Sequence, residues 1–446
     1  MPRRLPVAAL RHPHDREILR LAVPALGALV AEPLFLLADS AIVGRLGTGP
    51  LGGLGVAGAV LTTVVNLCIF LAFATTAAVA RQLGAGDPRG AIRQGIDGVW
   101  LALGLGAVLL VAGWSLAGWL VDLAGASPAV RPHAVTYLRI SSVALPAMLA
   151  VLAGTGVLRG LQDTRTPLKV AVAASALNLG LNAWLVLGLG WGIAGSATGT
   201  VIAQYASACA YLVVIVRAAR GHGIALRPDR AGIRASMAAG SALVLRTLTL
   251  RVVLVMLTAV AARLGDAEVA AHQVAFGIWS LLALALDAIA IAGQAITGRC
   301  LGAADVHGAR AATRRMVEWG AGAGIALGLL VLLARPLLPG LFTPDQGVRS
   351  LLEAVLVAVA VLQPVCGVVF VLDGVLIGAG DARYLAGAGV VTMLAFLPAA
   401  LAVLAAGGGL VALWGAFAVF MLARLVTLTL RARGDAWLVT GGLVRR

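Results

Sequence analysis

Long apolar segments recur along almost the whole chain, and they restrict its fold more than any other feature of the sequence. Each is roughly 20 or more residues long, enough for a helix to cross a hydrocarbon core of about 30 Å. Clusters of Gly, Pro, Asp and Arg, where helices end most readily, separate them. They lie near residues 18–43, 51–79, 96–120, 134–158, 168–190, 193–216, 236–262, 268–297, 314–338, 350–378, 384–406 and 408–430. We predict an all-α integral membrane protein with twelve transmembrane helices.

The composition agrees with this prediction and makes an enzyme improbable. Of the 446 residues, 61% are hydrophobic and only 12% are charged, which does not suit a soluble fold with a polar exterior. The sequence contains no HExxH, GxSxG or Walker-type GxxxxGK[ST] motif. The four cysteines stand singly in or beside apolar segments, which does not indicate a disulfide or metal site. We expect neither enzymatic activity, nor an ATP-driven pump, nor a cofactor.

An internal repeat shows how the helices are grouped. The segment RQLGAGDPRGA at 81–91 returns as RCLGAADVHGA at 299–309, with seven of eleven positions identical at an offset of 218. Six spans per repeat return the chain to the same side of the membrane. The repeat therefore predicts two parallel six-helix lobes about a pseudo-two-fold axis along the membrane normal, an arrangement typical of transporters. We expect a leader at 1–17, lobes at 18–217 and 236–432, a linker at 218–235 and a tail at 433–446.

The net charge of +15 is distributed in a way that indicates topology and not nucleic-acid binding. Most of the 34 Lys and Arg residues lie in segments that share one side of the membrane if the amino terminus is cytoplasmic. This is the positive-inside asymmetry of a multi-pass protein with both termini in the cytosol. We expect the protein to lie in a bacterial cytoplasmic membrane, as a monomer in contact with the lipid bilayer and with no nucleic-acid partner.

Ionisable residues inside the apolar segments are the first candidates for function, because each costs at least about 2.5 kcal/mol at the centre of a bilayer. Four acids and two arginines stand out, so at least two acids have no arginine partner. An acid without an arginine partner is a candidate to carry a proton. The six residues are Glu32 and Asp39 on span 1, Arg246 and Arg251 on span 7, Asp287 on span 8 and Asp373 on span 10.

Polar residues on other spans of the first lobe reach a depth similar to that of Asp39. Asp39 lies about 9 Å along its helix from Arg45 at the outer face. Asn178 and Asn182, four residues apart, share one helical face, and Thr198 on span 6 lies at a comparable depth. Such residues can bind a substrate or cation around Asp39, or they can join helices through hydrogen bonds.

Three further positions complete the candidate set in the first lobe. Pro24 and Pro33 can each interrupt the hydrogen bonds of span 1 and kink it beside the site. Tyr137, near the outer end of span 4, can stack on an aromatic or cationic substrate, although a tyrosine of the interfacial belt is the simpler interpretation.

The second lobe allows two interpretations. Arg246 and Arg251 are at a depth where they could neutralise Asp287 and Asp373, giving structural ion pairs. The same four residues could also take part in transport.

Three segments have a family-like pattern: EPLFLLADSAIVGRLG at 32–47, GVLRGLQDTRTP at 156–167 and LDGVLIGAGDAR at 372–383. They resemble the multidrug and toxic compound extrusion (MATE) transporters, in particular their DinF-like branch. The resemblance implies secondary antiport of cationic or amphipathic organic compounds against protons or sodium. It also implies that Asp39 is a protonation site, surrounded by Asn178, Asn182 and Thr198. The position of Asn182 is often an aspartate in that branch, so its amide places proton handling on Asp39, assisted by Glu32, and disfavours a two-acid sodium site.

We therefore expect multidrug efflux coupled to protons, by alternating access of the two lobes. Coupling to Na+ is one alternative, and a flippase or exporter of lipid-linked precursors, with Arg246 and Arg251 binding a pyrophosphate, is another. A major-facilitator carrier is disfavoured because the loop at 81–89 lacks a DRxGR-type motif. At the offset of 218, Asp39 faces Leu257 and Glu32 faces Leu250. Ion coupling is therefore expected in the first lobe.

Overall fold

The computed structural model describes residues 13–442, and within that range every regular element is a helix. The helices are α1 (Pro13–Gly44), α2 (Thr48–Leu67), α3 (Phe70–Gly84), α4 (Pro88–Ser115), α5 (Ala117–Leu123), α6 (Arg131–Ser142), α7 (Leu145–Gly160), α8 (Arg165–Asn182), α9 (Gly192–Gly221), α10 (Arg230–Leu264), α11 (Asp266–Gly302), α12 (Val306–Ala334), α13 (Leu338–Phe342), α14 (Gln346–Gly378), α15 (Ala382–Ala405) and α16 (Leu410–Arg433). Most of the predicted leader and the end of the predicted tail lie outside the described residues.

The prediction of twelve membrane spans is confirmed for this part of the chain. Eleven helical segments are long and apolar enough to cross a membrane, and α6 with α7 form a twelfth span bent by 52°. The helices α2 and α3 together make one span, and a π-helical turn, Ala183–Gly188, extends α8. Helix α1 continues through Pro24 and Pro33.

The chain divides into two compact units. Residues 27–240 form the amino-terminal unit, and residues 241–442 together with 13–26 form the carboxy-terminal unit. Both divisions fall inside a helix, α1 or α10, whereas the sequence suggested lobes that begin at residues 18 and 236.

The start of α1 joins the carboxy-terminal unit through specific contacts. Asp15 is bound by the guanidinium of Arg315, with an Nε to Oδ1 distance of 2.6 Å, and Glu17 by Arg299 at 2.7 Å. Leu21, one turn further on, is fully buried. These ion pairs and this apolar contact explain why residues 18–26 group with the second half of the sequence.

Helix α14 lies at the centre of the carboxy-terminal unit and packs against α11, α12 and α16. It approaches α12 closely where a Cβ atom on Gly367 would lie 2.0 Å from the carbonyl oxygen of Gly320. A side chain at either position would force the two helices apart. Small residues that allow such close packing are a common means of helix association in membranes.

The repeated motif encodes a turn whose geometry is the same in both units. Asp87 accepts a hydrogen bond from the N–H of Gly90 at 2.8 Å, and Asp305 accepts one from the N–H of Gly308 at 2.7 Å. Each aspartate caps the helix that follows it, which satisfies an otherwise unpaired backbone N–H. The turn before each cap has a left-handed residue, Gly86 with φ 74° and Ala304 with φ 59°.

The left-handed position holds glycine in one turn and alanine in the other. The reciprocal substitutions Gly86→Ala and Ala304→Gly should therefore have opposite effects on the free energy of unfolding. Gly86→Ala places a Cβ in left-handed backbone and should lower the free energy of unfolding by about 1–2 kcal/mol. Ala304→Gly removes the same strain, partly offset by the greater freedom of glycine in the unfolded chain, and should stabilise the protein by up to about 1 kcal/mol. Thermal melting of the purified protein in detergent measures both. Ala303→Gly, at φ −74°, is the matched control and should be destabilising; stabilisation by that control would contradict the explanation.

Candidate functional site

Asp39 lies in the carboxy-terminal half of α1 and is almost fully buried, at 2% exposure. Its Oδ1 atom accepts two hydrogen bonds, from Asn182 Nδ2 at 2.6 Å and from Ser196 Oγ at 2.8 Å. These donors come from the end of α8 and from the second turn of α9. Three helices of the amino-terminal unit therefore meet at one carboxylate.

Three more polar residues surround this carboxylate. The Asn178 Nδ2 group donates to Thr200 Oγ1 at 3.2 Å, and both side chains are buried. Tyr137, on α6, is buried beside Asp39 and next to Ser196 and Thr200. We call the set formed by Asp39, Tyr137, Asn178, Asn182, Ser196 and Thr200 the Asp39 cluster. The structure thus places Tyr137 inside the helix bundle and not in an interfacial belt.

The charge distribution of the Asp39 cluster determines which cations its carboxylate can bind. Both hydrogen-bond donors to Asp39 are neutral, and no cationic side chain within residues 13–442 pairs with it. Burial disfavours the charged form of a carboxylate, whereas donors that point at the carboxylate favour that form, so the surroundings of Asp39 leave both charge states accessible. Adding a proton to Asp39 breaks no ion pair. The cluster can therefore exchange a proton for another cation at one carboxylate.

A glycine on the neighbouring helix leaves room for the amide of Asn182. A Cβ atom at Gly199 would lie 2.1 Å from Asn182 Oδ1, so the amide oxygen packs directly against the backbone of α9. The amide nitrogen then points to Asp39. Asn182 thus presents a hydrogen-bond donor to the carboxylate, while its Oδ1 atom is buried without a hydrogen-bond partner in the described part of the chain.

Two of the polar residues predicted to belong to the site in the first lobe lie outside the Asp39 cluster. The hydroxyl of Thr198 donates to Ala194 O, 2.8 Å away on its own helix, so the prediction that Thr198 lines the cluster needs correction. At about 100° per residue, Ser196 and Thr200 share a face of α9 from which Thr198 points away. Glu32 is exposed and lies about 10 Å along α1 from Asp39.

Four charged residues inside the carboxy-terminal unit form a separate group. Asp373 on α14 contacts the guanidinium of Arg246 on α10, and Arg424 Nη2 on α16 lies 3.4 Å from Asp373 Oδ1. Asp287 on α11 is close enough to interact electrostatically with both arginines. The second arginine beside Asp373 is thus Arg424. Arg251, which the sequence suggested for this role, forms no ion pair with a carboxylate in the described part of the chain.

The sequence interpretation missed three of these residues although the signals were present. Ser196 and Thr200 are four residues apart, the spacing that places two side chains on one helical face. Arg424 lies inside the last apolar segment and is identifiable as a charge within the membrane. Hydropathy alone does not show which face of α9 meets Asp39, because that depends on the packing of α8 on α9.

Known proteins resemble this chain over almost its whole length. The model of the MatE family matches residues 24–184 and 242–404. The chain is 30% identical to DNA damage-inducible protein F of Escherichia coli, over 93% of this chain and 91% of that protein. It is 31% identical to the chloroplastic protein DETOXIFICATION 44 of Arabidopsis thaliana, over 92% and 80% of the two chains. A crystal structure of MATE in the bent conformation has the same fold, with a TM-score of 0.86, 22% identity and 96% of each chain covered.

The two hydroxyls on α9 provide a test of the site geometry. Ser196→Ala removes a buried donor to Asp39 and should lower the free energy of unfolding by about 1–2 kcal/mol. Thr198→Ala removes a hydroxyl that is hydrogen-bonded to its own helix, and should change the free energy of unfolding by about 0.5 kcal/mol or less. Thermal melting of both variants in one detergent makes the comparison. A larger loss for Thr198→Ala than for Ser196→Ala would contradict the assignment of Ser196 to the Asp39 cluster.

Proposed function

The chain belongs to the MatE family of membrane transporters, which are secondary transporters that export drugs and toxins, and from this premise we propose that it exchanges protons for cationic or amphipathic organic compounds at Asp39. The proposal depends chiefly on one observation, a buried carboxylate whose hydrogen-bond partners, Asn182 and Ser196, are neutral. Such a group can change its charge without leaving an arginine or lysine unpaired. It is therefore suited to carry a proton in one step of a cycle and to attract a cation in another.

The exchange follows from competition for one negative charge. An organic cation near the ionised Asp39 lowers the free energy of the carboxylate, whereas a proton on Asp39 removes the charge that attracts the cation. Occupation by a proton and by a cationic substrate are thus mutually exclusive. If only the protonated or substrate-bound forms change access from one side of the membrane to the other, export of the compound is tied to entry of a proton.

The same geometry favours protons over sodium. Na+ is a hard cation and binds oxygen ligands, but the amide of Asn182 turns its nitrogen toward Asp39 and its oxygen toward Gly199. Asn182 also cannot supply a second negative charge. We propose that Asp39 alone carries the coupling proton and that Glu32, exposed on the same helix, assists proton entry.

Transport by proteoliposomes tests this proposal. Wild-type protein should move a cationic fluorescent dye in response to an imposed pH gradient, and Asp39→Asn should abolish that response because an amide cannot take up a proton. Glu32→Gln should slow transport without abolishing it. Asp122→Asn, the same chemical change at an exposed site on α5, is the matched control and should transport as the wild type does.

Two results would contradict the proposal. Full proton-driven transport by a correctly folded Asp39→Asn protein would exclude Asp39 as the coupling group. Dye movement that responds to a sodium gradient and not to a pH gradient would replace the proton with sodium.

A further inference from the structure

One face of α4 holds the segment 222–229, which joins α9 to α10. The guanidinium of Arg93 donates a hydrogen bond to the carbonyl oxygen of Ala225 at 3.2 Å, and the indole of Trp100 donates one to the carbonyl oxygen of Leu226 at 2.8 Å. These two side chains are seven residues apart on α4, so they share a helical face. The segment is therefore bound along two turns of α4.

The same face of α4 carries a buried acid, Asp97, that holds the start of α10. Its Oδ1 atom accepts a hydrogen bond from the N–H of Asp229 at 3.0 Å, and the residue is 2% exposed. Its Oδ2 atom lies against Gly232 in the first turn of α10, where a Cβ atom would be 2.2 Å away. A carboxylate is favourable beside the partial positive charge of a helix N-terminus. Gln94 Nε2 donates a further hydrogen bond to Ser236 Oγ at 3.0 Å. We call the α4 side chains that make these contacts the α10 clamp: Arg93, Gln94, Asp97 and Trp100.

The carboxy-terminal unit has an equivalent contact at the same position of the repeat. At the offset of 218, Asp97 on α4 corresponds to Arg315 on α12. Arg315 binds Asp15 at the start of α1, as Asp97 binds the start of α10. Both α1 and α10 begin in one unit and continue into the other. The anchor is thus present in both units, although the residues that form it carry opposite charges.

The point at which α10 passes from one unit to the other lies beyond the α10 clamp. The amino-terminal unit includes α10 as far as Gly240, and the carboxy-terminal unit begins at Ser241. A Gly/Ser pair is one of the few causes of a sharp bend inside a helix. Gly240 packs directly on the ring of Phe70 on α3, where a Cβ atom would lie 2.5 Å away. The anchored part of α10 therefore extends to this pair, and a bend there needs no opening of the clamp.

We propose that Asp97 is a positioning residue for transport, which keeps the start of α10 on α4 throughout the transport cycle while α10 bends at Gly240 and Ser241. Opening the α10 clamp would leave a buried carboxylate without its backbone donor, so the bend is the less costly movement. The clamp therefore acts as the fixed end of a hinge. This inference rests on the proposed transport by alternating access, but it does not involve the proton site at Asp39.

Hydrogen exchange of the purified protein in detergent, read by mass spectrometry, tests the clamp without transport. Asp97→Ala removes the acceptor, and Gly232→Ala places a Cβ atom where the carboxylate lies. Each should speed backbone exchange in residues 225–236 at least about tenfold. Helix propensity alone would make Gly232→Ala slow this exchange, because alanine favours a helix more than glycine does. Gly221→Ala, at the end of α9 with open space around it, is the matched control and should leave the exchange unchanged.

A reversible cross-link tests whether the clamp stays closed during transport. Gln94→Cys and Ser236→Cys are combined with Cys209→Ser, which removes an exposed thiol, and the two new thiols are joined by a short bis-methanethiosulfonate reagent. In proteoliposomes the linked protein should move the cationic dye as fast as the same protein after reduction. Asp97→Ala should lower the maximal rate several-fold and leave the dye concentration for half-maximal transport unchanged, because Asp97 lies outside the Asp39 cluster.

Three results would overturn the proposal. Transport that is lost on cross-linking and regained on reduction would mean that the clamp has to open in each cycle. Failure of the cross-link to form would mean that α4 and the start of α10 are not adjacent. Unchanged exchange in both Asp97→Ala and Gly232→Ala would remove the role of Asp97. Exchange and cross-link formation are measured without a proton gradient, so failure of the clamp and failure of proton-coupled export at Asp39 are distinguishable.

Discussion

A carboxylate buried among apolar helices has to be stabilised, and in the amino-terminal unit neutral donors alone do this. Asp39 is held by an amide from α8 and a hydroxyl from α9, so the packing of these helices around α1 depends on a few hydrogen bonds. The hydrogen bond from Asn182 also needs a glycine at position 199, because a side chain there would displace the Asn182 amide. Since no fixed positive charge within residues 13–442 balances Asp39, its own charge is free to change, and the proposed exchange follows from that freedom.

The carboxy-terminal unit stabilises its buried acid in a different way. Asp373 shares its carboxylate between Arg246 and Arg424, and removing either partner would leave an uncompensated charge in a low-dielectric environment. The two units descend from one repeated sequence, yet their polar interiors differ. The duplication preserved the turns, where Asp87 and Asp305 cap equivalent helices, while the interiors acquired different charges.

Much of this organisation is predictable from the sequence because it depends on local rules. Hydropathy located all twelve spans, and the identity between 81–91 and 299–309 identified turns with the same backbone geometry. Asp39, Asn178 and Asn182 were predictable as one site because a polar side chain inside an apolar segment is costly and needs a partner. The rest depends on packing between helices. The face of α9 that meets Asp39, the pairing of Asp373 with Arg424 and the contacts of the start of α1 arise from residues far apart in the chain.

Release of protons when substrate binds tests the central claim most directly. In weakly buffered detergent solution with a pH indicator, adding a cationic substrate to wild-type protein should release protons, because the substrate displaces the proton from Asp39. The Asp39→Asn protein should release none while keeping its thermal stability. Proton release that persists in a folded Asp39→Asn protein would contradict the account and would place the coupling group elsewhere in the chain.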